Sequence, residues 1–494
     1  MSSLFTAPFD NSYARLPEHF YSREQPLPVP APALACANQE LARQLQLDPE
    51  ALARPEDLEV LAGNRVPEGA EPLAMAYAGH QFGNFVPSLG DGRALLLGEL
   101  LDADGERRDI QLKGSGATAF SRGGDGRAGL PSMIREYLAS EAMAGLGIPC
   151  QRALALVTTG ETVHRETPEP GAVLTRVTRG LVRFGTFQYF HYRDDREALR
   201  TLTEYVIRRH YPELVDEATP LPVLLGAVAE RTARLVADWM LVGFIHGVMN
   251  TDNMTLSGET IDFGPFGFMD EFHPATVFSL IDQGGRYAFN QQPDIAGWNL
   301  ARFAETLLPL MEAEMNDPVT VAQEQLRRFA PVFEARYEEG LLAKLGLTER
   351  REGDSQLIEE LFAAMARQRV DYTLLFRRLS EVPGDSADDD EPVRELFSQP
   401  EEFDRWAAGW RDRLRRQDRD DKERRSAMRA VNPAFVLRNH HAQRAIDAAL
   451  AENFEPFHEL LTVLASPFED QPGMEHWTRP PAQEERVPYT TCGT

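Results

Sequence analysis

From His246 to Gly264 the sequence reads H-G-V-M-N-T-D-N, then M-T-L-S-G-E-T-I, then D-F-G. Within it Asn253 and Asp262 supply an amide oxygen and a carboxylate, donor types that suit a metal-bound nucleotide. A turn between a helix and a strand, followed by an unrelated Asp-Phe-Gly, would read the same way.

A His, an Asn seven positions later and an Asp-Phe-Gly beyond it resemble the order in which protein kinases place their catalytic loop and magnesium-binding turn. That likeness implies Asn253 and Asp262 as metal ligands. Two positions after the His, where kinases carry the Asp that receives the acceptor's proton, this chain has Val248. The flanks agree with such a site. Arg231–Phe244 has the apolar period of a helix ending at the loop, and Met254–Leu256 with Thr260–Asp262 reads as a short hairpin around Ser257-Gly258-Glu259.

The elements that must position this loop lie upstream. From Tyr77 the chain is punctuated by glycine, with strands predicted over Ala94–Leu101 and Asp109–Lys113. Ile110 and Leu112 alternate with Gln111 and Lys113, so Lys113 faces away from the buried pair. A lysine there is usually solvated; an acidic partner on a neighbouring helix would give it a function. Ser132 as N-cap opens a helix through Glu136 to Gly145, and Lys113 with Glu136 reproduces the kinase pair that grips nucleotide phosphates. Between them, S-R-G-G-D-G-R-A-G allows close backbone approach to phosphate, although a surface loop has the same composition. Strands over Ala155–Thr159 and Val173–Thr178 follow; Arg176, Arg179 and Arg183 read, on spacing alone, as a solvated cationic face.

A chain of 494 residues with 43% apolar content predicts more than one lobe around a large core. Its net charge of −26 argues against a nucleic-acid backbone or an anionic membrane surface as main partner. Cys36, Cys150 and Cys492 are too few and too scattered for a disulfide framework or a zinc site. With no leader and no long apolar run, a soluble cytoplasmic protein is expected.

The organisation predicted is an N-terminal extension (1–70), a β-rich lobe (71–185), a helical lobe (186–469) and a tail (470–494) that is ordered only if it docks. In the helical part Arg286–Leu310 reads as one helix and Arg411–Arg429 as one charged helix. Trp406 and Trp410 read as core, Gly384–Pro392 as an exposed acidic loop, and His440 and His441 as surface or capping residues.

Taken together, F-D-N-S-Y-A-R-L-P, Y-A-G-H-Q-F-G, L-G-D-G-R, L-K-G-S-G-A-T, S-R-G-G-D-G-R-A, the His246 loop, D-F-G-P-F-G-F and a Cys third from the end resemble the selenoprotein O family over nearly the whole chain. The resemblance implies an α+β, protein-kinase-like bilobal fold with a small β-rich N-lobe and a large helical C-lobe. It implies AMP transfer from ATP to Ser, Thr or Tyr hydroxyls of proteins, with the nucleotide flipped relative to kinases. Nucleotide contacts would come from Gly90, Gly92, Arg93, Lys113, Asp125, Gly126, Arg176, Arg183 and Asp262, with Glu136 supporting Lys113. Asn253 and Asp262 would bind Mg2+ or Mn2+, and Asp252 would accept the proton. The physical logic agrees: Val248 leaves Asp252 as the nearest free carboxylate, and inward arginines suit the terminal phosphates of a reversed nucleotide. The family's terminal cysteine implies a redox role for Cys492. No cysteine lies between Gly264 and Trp298, however, which leaves Cys36, Cys150 or an intermolecular thiol as its partner. UMP transfer from UTP with manganese, γ-phosphate transfer and a non-catalytic nucleotide-binding scaffold are the competing readings.

Overall fold

The computed structural model describes residues 1–490. Seven strands form one antiparallel sheet: β1 (Tyr21–Arg23), β2 (Ala33–Ala37), β3 (Leu73–Met75), β6 (Ala94–Leu101), β7 (Arg107–Lys113), β8 (Arg152–His164) and β9 (Pro168–Thr178). A hairpin of β4 (Gly79–Gln81) and β5 (Asn84–Val86) stands outside it. The sheet order is β1-β3-β6-β7-β9-β8-β2, so residues 1–70 contribute both edge strands.

Register decides what each face does. Ile110 pairs with Val177 and Gln111 with Arg176 across β7 and β9, so alternation sends Ile110, Leu112, Val173 and Val177 to one face and Gln111, Lys113 and Arg176 to the other. The apolar face packs with Leu41, Leu52, Val60 and Leu61 of the N-terminal segment, each such buried side chain contributing roughly 1.5–3 kcal/mol. The polar face turns toward the helix Leu130–Gly145, which crosses it. That helix begins two residues before the expected cap. Gly129 is its N-cap, Pro131 sits in the first turn with φ already helical, and Ser132 Oγ only donates back to Gly129 O at 2.9 Å.

From Phe184 onward the described chain is mainly helical. The helix Pro220–Leu241 is the axis of this part, buried along Leu224, Val228, Leu235, Val236 and Trp239. It is longer at its start than predicted and stops earlier. Gly243 takes φ +72°, and Phe244 enters a two-residue strand, β10 (Phe244–Ile245), paired with β11 (Gly267–Phe268). The hairpin predicted at Met254–Asp262 reduces to a single bridge between Met254 and Thr260. Helix Gln292–Met311 replaces the predicted Arg286–Leu310, because Phe289–Gln291 forms a separate tight turn. The charged stretch divides into Pro400–Leu414 and Asp421–Val431, the second helix capped by Asp420 accepting from Lys422 N and Glu423 N.

Trp406 and Trp410 stack at 5.9 Å inside a second apolar core. The acidic loop is exposed or half-buried except at Asp390, which is buried and pairs with Arg411. His440 and His441 are a correction: they lie 6% and 1% exposed beneath Trp477, 4.9 Å from the His441 ring, because the tail folds over them. The tail docks as far as it is described, with Thr490 N donating to Phe278 O at 2.8 Å. Among the described residues no helix is long and apolar enough to cross a membrane.

Candidate active site

Three cations and two carboxylates meet on the polar face of the sheet. Lys113 Nζ lies 2.6 Å from Glu136 Oε2 and 3.9 Å from Asp262 Oδ1. Arg176 donates from Nε to Glu136 Oε1 and from Nη2 to Asp262 Oδ1, both at 2.6 Å, and from Nη1 to Gln111 Oε1 at 3.1 Å. Arg183 Nη1 reaches Asp262 Oδ2 at 2.7 Å and the backbone oxygen of Asp252 at 2.9 Å, its guanidinium lying 4.5 Å over the Tyr77 ring. Spacing alone put Arg176 and Arg183 on a solvated face; they are 1% and 3% exposed. The β7–β9 register turns Arg176 inward, and Arg183 caps the helix Phe184–Tyr192 at the base of the cleft.

The charges shift one another. Burial, then the Arg176 charge, bring the Lys113 ammonium down to about 8. Burial would raise the Asp262 carboxyl, but Arg176, Arg183 and Lys113 together hold it well below its usual range. Asp262 adopts φ +57°, a left-handed backbone uncommon for a side chain with a Cβ. Gln151 locks this conformation: its Oε1 accepts from Asp262 N at 3.1 Å while its Nε2 donates to Glu136 Oε1 at 2.7 Å.

The loop opposite is equally fixed. His246 is buried with Nε2 3.0 Å from Ile261 O. Asn250 Oδ1 accepts from Tyr287 Oη at 2.6 Å and Phe82 N at 3.0 Å, and Thr251 Oγ1 donates to Gln188 at 2.6 Å. Asp252 then projects with Oδ2 3.3 Å from Gln81 Nε2, while its buried Oδ1 has no protein partner. Burial pushes its carboxyl up to about 6, partly offset by Arg183. Val248 lines the cleft and offers no acid.

Lys113, Glu136, Arg176, Arg183, Asp252 and Asp262 line a cleft of about 540 Å³ whose other wall carries Gly90, Gly92, Arg93, Asp125 and Gly126. Gly126 has φ +67°, and a Cβ there would sit 2.0 Å from the Gly116 carbonyl, so only glycine lets the two loops touch. Asp125, at the rim, is held by Arg165 at 3.0 Å. Among the described residues no three His, Cys, Asp or Glu side chains converge on a metal position. The donors still fit a hard cation carried in with phosphates, which takes one or two protein oxygens. Asn253 spends Nδ2 on Val248 O at 2.9 Å, leaving Oδ1 to accept, and Asp262 supplies the carboxylate.

Every sequence-predicted site residue within 1–490 thus lies in one cleft; Cys492 lies outside the described residues. Cys36 and Cys150 are both free, and burial raises both thiols, that of Cys36 to about 11, which disfavours the reactive thiolate. Sequence reasoning missed Tyr77, Gln81, Asp91 and Gln151. Tyr77 and Gln81 stand in Y-A-G-H-Q-F-G and Asp91 in L-G-D-G-R, so a signal existed; Gln151 carried none.

Comparison with known proteins bears on this cleft. The family model of protein adenylyltransferase SelO matches residues 3–465. Protein nucleotidyltransferase YdiU of Alkalilimnicola ehrlichii is 58% identical over 488 residues, covering 99% of each chain. The protein of the same name from Rhodopseudomonas palustris (strain BisB5) is 56% identical with the same coverage. That of Methylorubrum extorquens (strain PA1) is 56% identical over the full length of both. The chain belongs to the SelO family and is an enzyme of the nucleotidyltransferase class.

Proposed function

We propose that the cleft transfers AMP from ATP to Ser, Thr or Tyr hydroxyls of proteins, on a protein-kinase-like bilobal scaffold with a reversed nucleotide. The observation that carries this reading is the buried arginine pair on Asp262. Arg176 and Arg183 sit at the floor of the cleft, where terminal phosphates would be gripped bidentately, and Arg183 also holds the backbone of Asp252. With the β- and γ-phosphates drawn onto the arginines and Lys113, the α-phosphate is left facing Asp252.

The Asp252 carboxylate, which lines the cleft, receives the acceptor's O–H proton. The acceptor oxygen bonds the α-phosphorus, the bond from that phosphorus to the bridging oxygen breaks, and pyrophosphate leaves. Gly90, Gly92, Arg93, Asp125 and Gly126 close around the nucleotide. Mg2+ or Mn2+ held by Asn253 and Asp262 would neutralise phosphate charge. UMP transfer from UTP uses the same groups and remains a variant of this reading. Analysis of the small-molecule products tests it: pyrophosphate should accumulate in step with protein modification. ADP in its place would mean γ-phosphate transfer.

A further inference from the structure

Beside Asp252 the surface carries a platform that no step above uses. The β4–β5 hairpin docks on the catalytic loop. A Cβ on Gly79 would sit 2.3 Å from Asp252 Oδ1, His80 N donates to Thr251 Oγ1 at 2.7 Å, and Gln81 reaches Asp252. Outward from these contacts the hairpin joins a run of rings. His80 lies 4.9 Å from Phe85 and 5.2 Å from Trp298, and Phe85 lies 5.2 Å from Tyr192, which is 61% exposed.

Two arginines flank Trp298, Arg286 at 4.8 Å and Arg302 at 5.2 Å from its ring. Arg302 shares its charge with Glu305 at 2.6 Å. Arg286 makes no ion pair among the described residues, and its Nε is buried without a partner. Asp282, in its own loop, is occupied by the backbone N–H groups of Arg286 and Tyr287 at 2.9 and 2.8 Å. In a chain of net charge −26, Arg286 is a cation without an ion-pair partner among the described residues, stacked on the half-buried ring of Trp298.

We propose that the face formed by His80, Phe85, Tyr192, Arg286, Trp298 and Arg302 binds the acceptor polypeptide. It would select a segment with acidic side chains beside the hydroxyl it presents to Asp252. This rests on the AMP-transfer reading, since it needs a polypeptide acceptor at Asp252. Charge complementarity picks the occupant: the molecule as a whole repels acidic partners, and this face attracts them. The rings supply flat contact area for the peptide backbone.

The test uses the full-length protein, ATP labelled in the α-phosphate, and three serine peptides flanked by aspartate, asparagine or lysine. The aspartate peptide should show the lowest KM, about tenfold below the asparagine peptide. Arg286→Glu should reverse the ranking in favour of the lysine peptide, with ATP affinity unchanged by direct titration. Tyr192→Ala, at an exposed position, should raise KM for all three peptides without altering ATP affinity. Equal labelling of the three peptides, or an unchanged ranking in Arg286→Glu, overturns the platform while leaving AMP transfer intact. Absence of α-label on every peptide and protein overturns the transfer reading and the platform with it.

Discussion

Asp262 is held in a left-handed backbone conformation while its carboxylate receives Arg176 and Arg183 and lies 3.9 Å from Lys113. Removing that carboxylate leaves Lys113 and Arg176 sharing Glu136 and Arg183 with Asp91 at 3.8 Å, and takes away a ligand for the metal. Asp262→Ala should therefore abolish transfer while the protein still folds, as judged by circular dichroism; full label transfer by this variant would contradict the metal assignment. Asp252→Asn should act differently. It keeps the shape of the side chain and loses only the proton acceptor, so transfer should fall about 10²–10⁴-fold with little change in ATP affinity. A variant with near-parental rate would show that another group takes the proton. At this scale the sequence was uneven. Lys113 was legible because period-two alternation set it opposite Ile110 and Leu112, and Glu136 because it lies on a recognisable helix. Arg176 was not, because its side depends on pairing with Gln111, 65 positions away.

At the scale of elements, the helix Leu130–Gly145 and the turn at Asp262 are joined through Gln151, which touches both Glu136 and Asp262 N. Gln151→Leu would leave a buried N–H and part of a buried carboxylate unpaired, at about 1–3 kcal/mol. ATP affinity should weaken about tenfold or more through a misplaced Glu136 and Asp262, while the Asp252 loop, which Gln151 does not touch, keeps its structure. Unchanged affinity would mean that the Lys113–Glu136 and Arg176–Asp262 pairs hold without it. The strands β6 and β7 were readable from apolar runs and a Gly turn, because those signals are local. The early start of the Leu130–Gly145 helix and the break between Leu414 and Asp421 were not, because Pro131 fits the first turn ahead of Ser132 and Asp420 caps a new helix within a continuously charged stretch.

Across the whole molecule the tail and the helix Asn439–Leu450 enclose His440 and His441, whose rings lie 3.8 Å apart. Burial, with Arg438 beside His440 and His440 beside His441, depresses their pKa values to about 4 and about 2. Unfolded histidine takes up a proton near pH 6.5, so the unfolded chain binds more protons and stability falls as the pH drops from about 6.5 toward 4. Each histidine adds about 1.4 kcal/mol per pH unit across that window. Replacing both by Phe keeps the rings and removes the titration, so melting temperature should decline less steeply below pH 6.5 than in the parent; parallel curves would contradict the buried, neutral state. Docking of the tail was foreseen only as a condition, because short Pro-rich segments carry no period that names their binding face. The central claim concerns which phosphate this molecule turns toward its acceptor, and ATP carrying distinguishable labels in the α- and γ-phosphates tests it most directly. Incubated with the full-length protein, a divalent cation and acceptor protein, such ATP should leave the α-label on protein and release the γ-label in pyrophosphate. Protein carrying the γ-label at equal stoichiometry would contradict both the orientation and the proposed reaction.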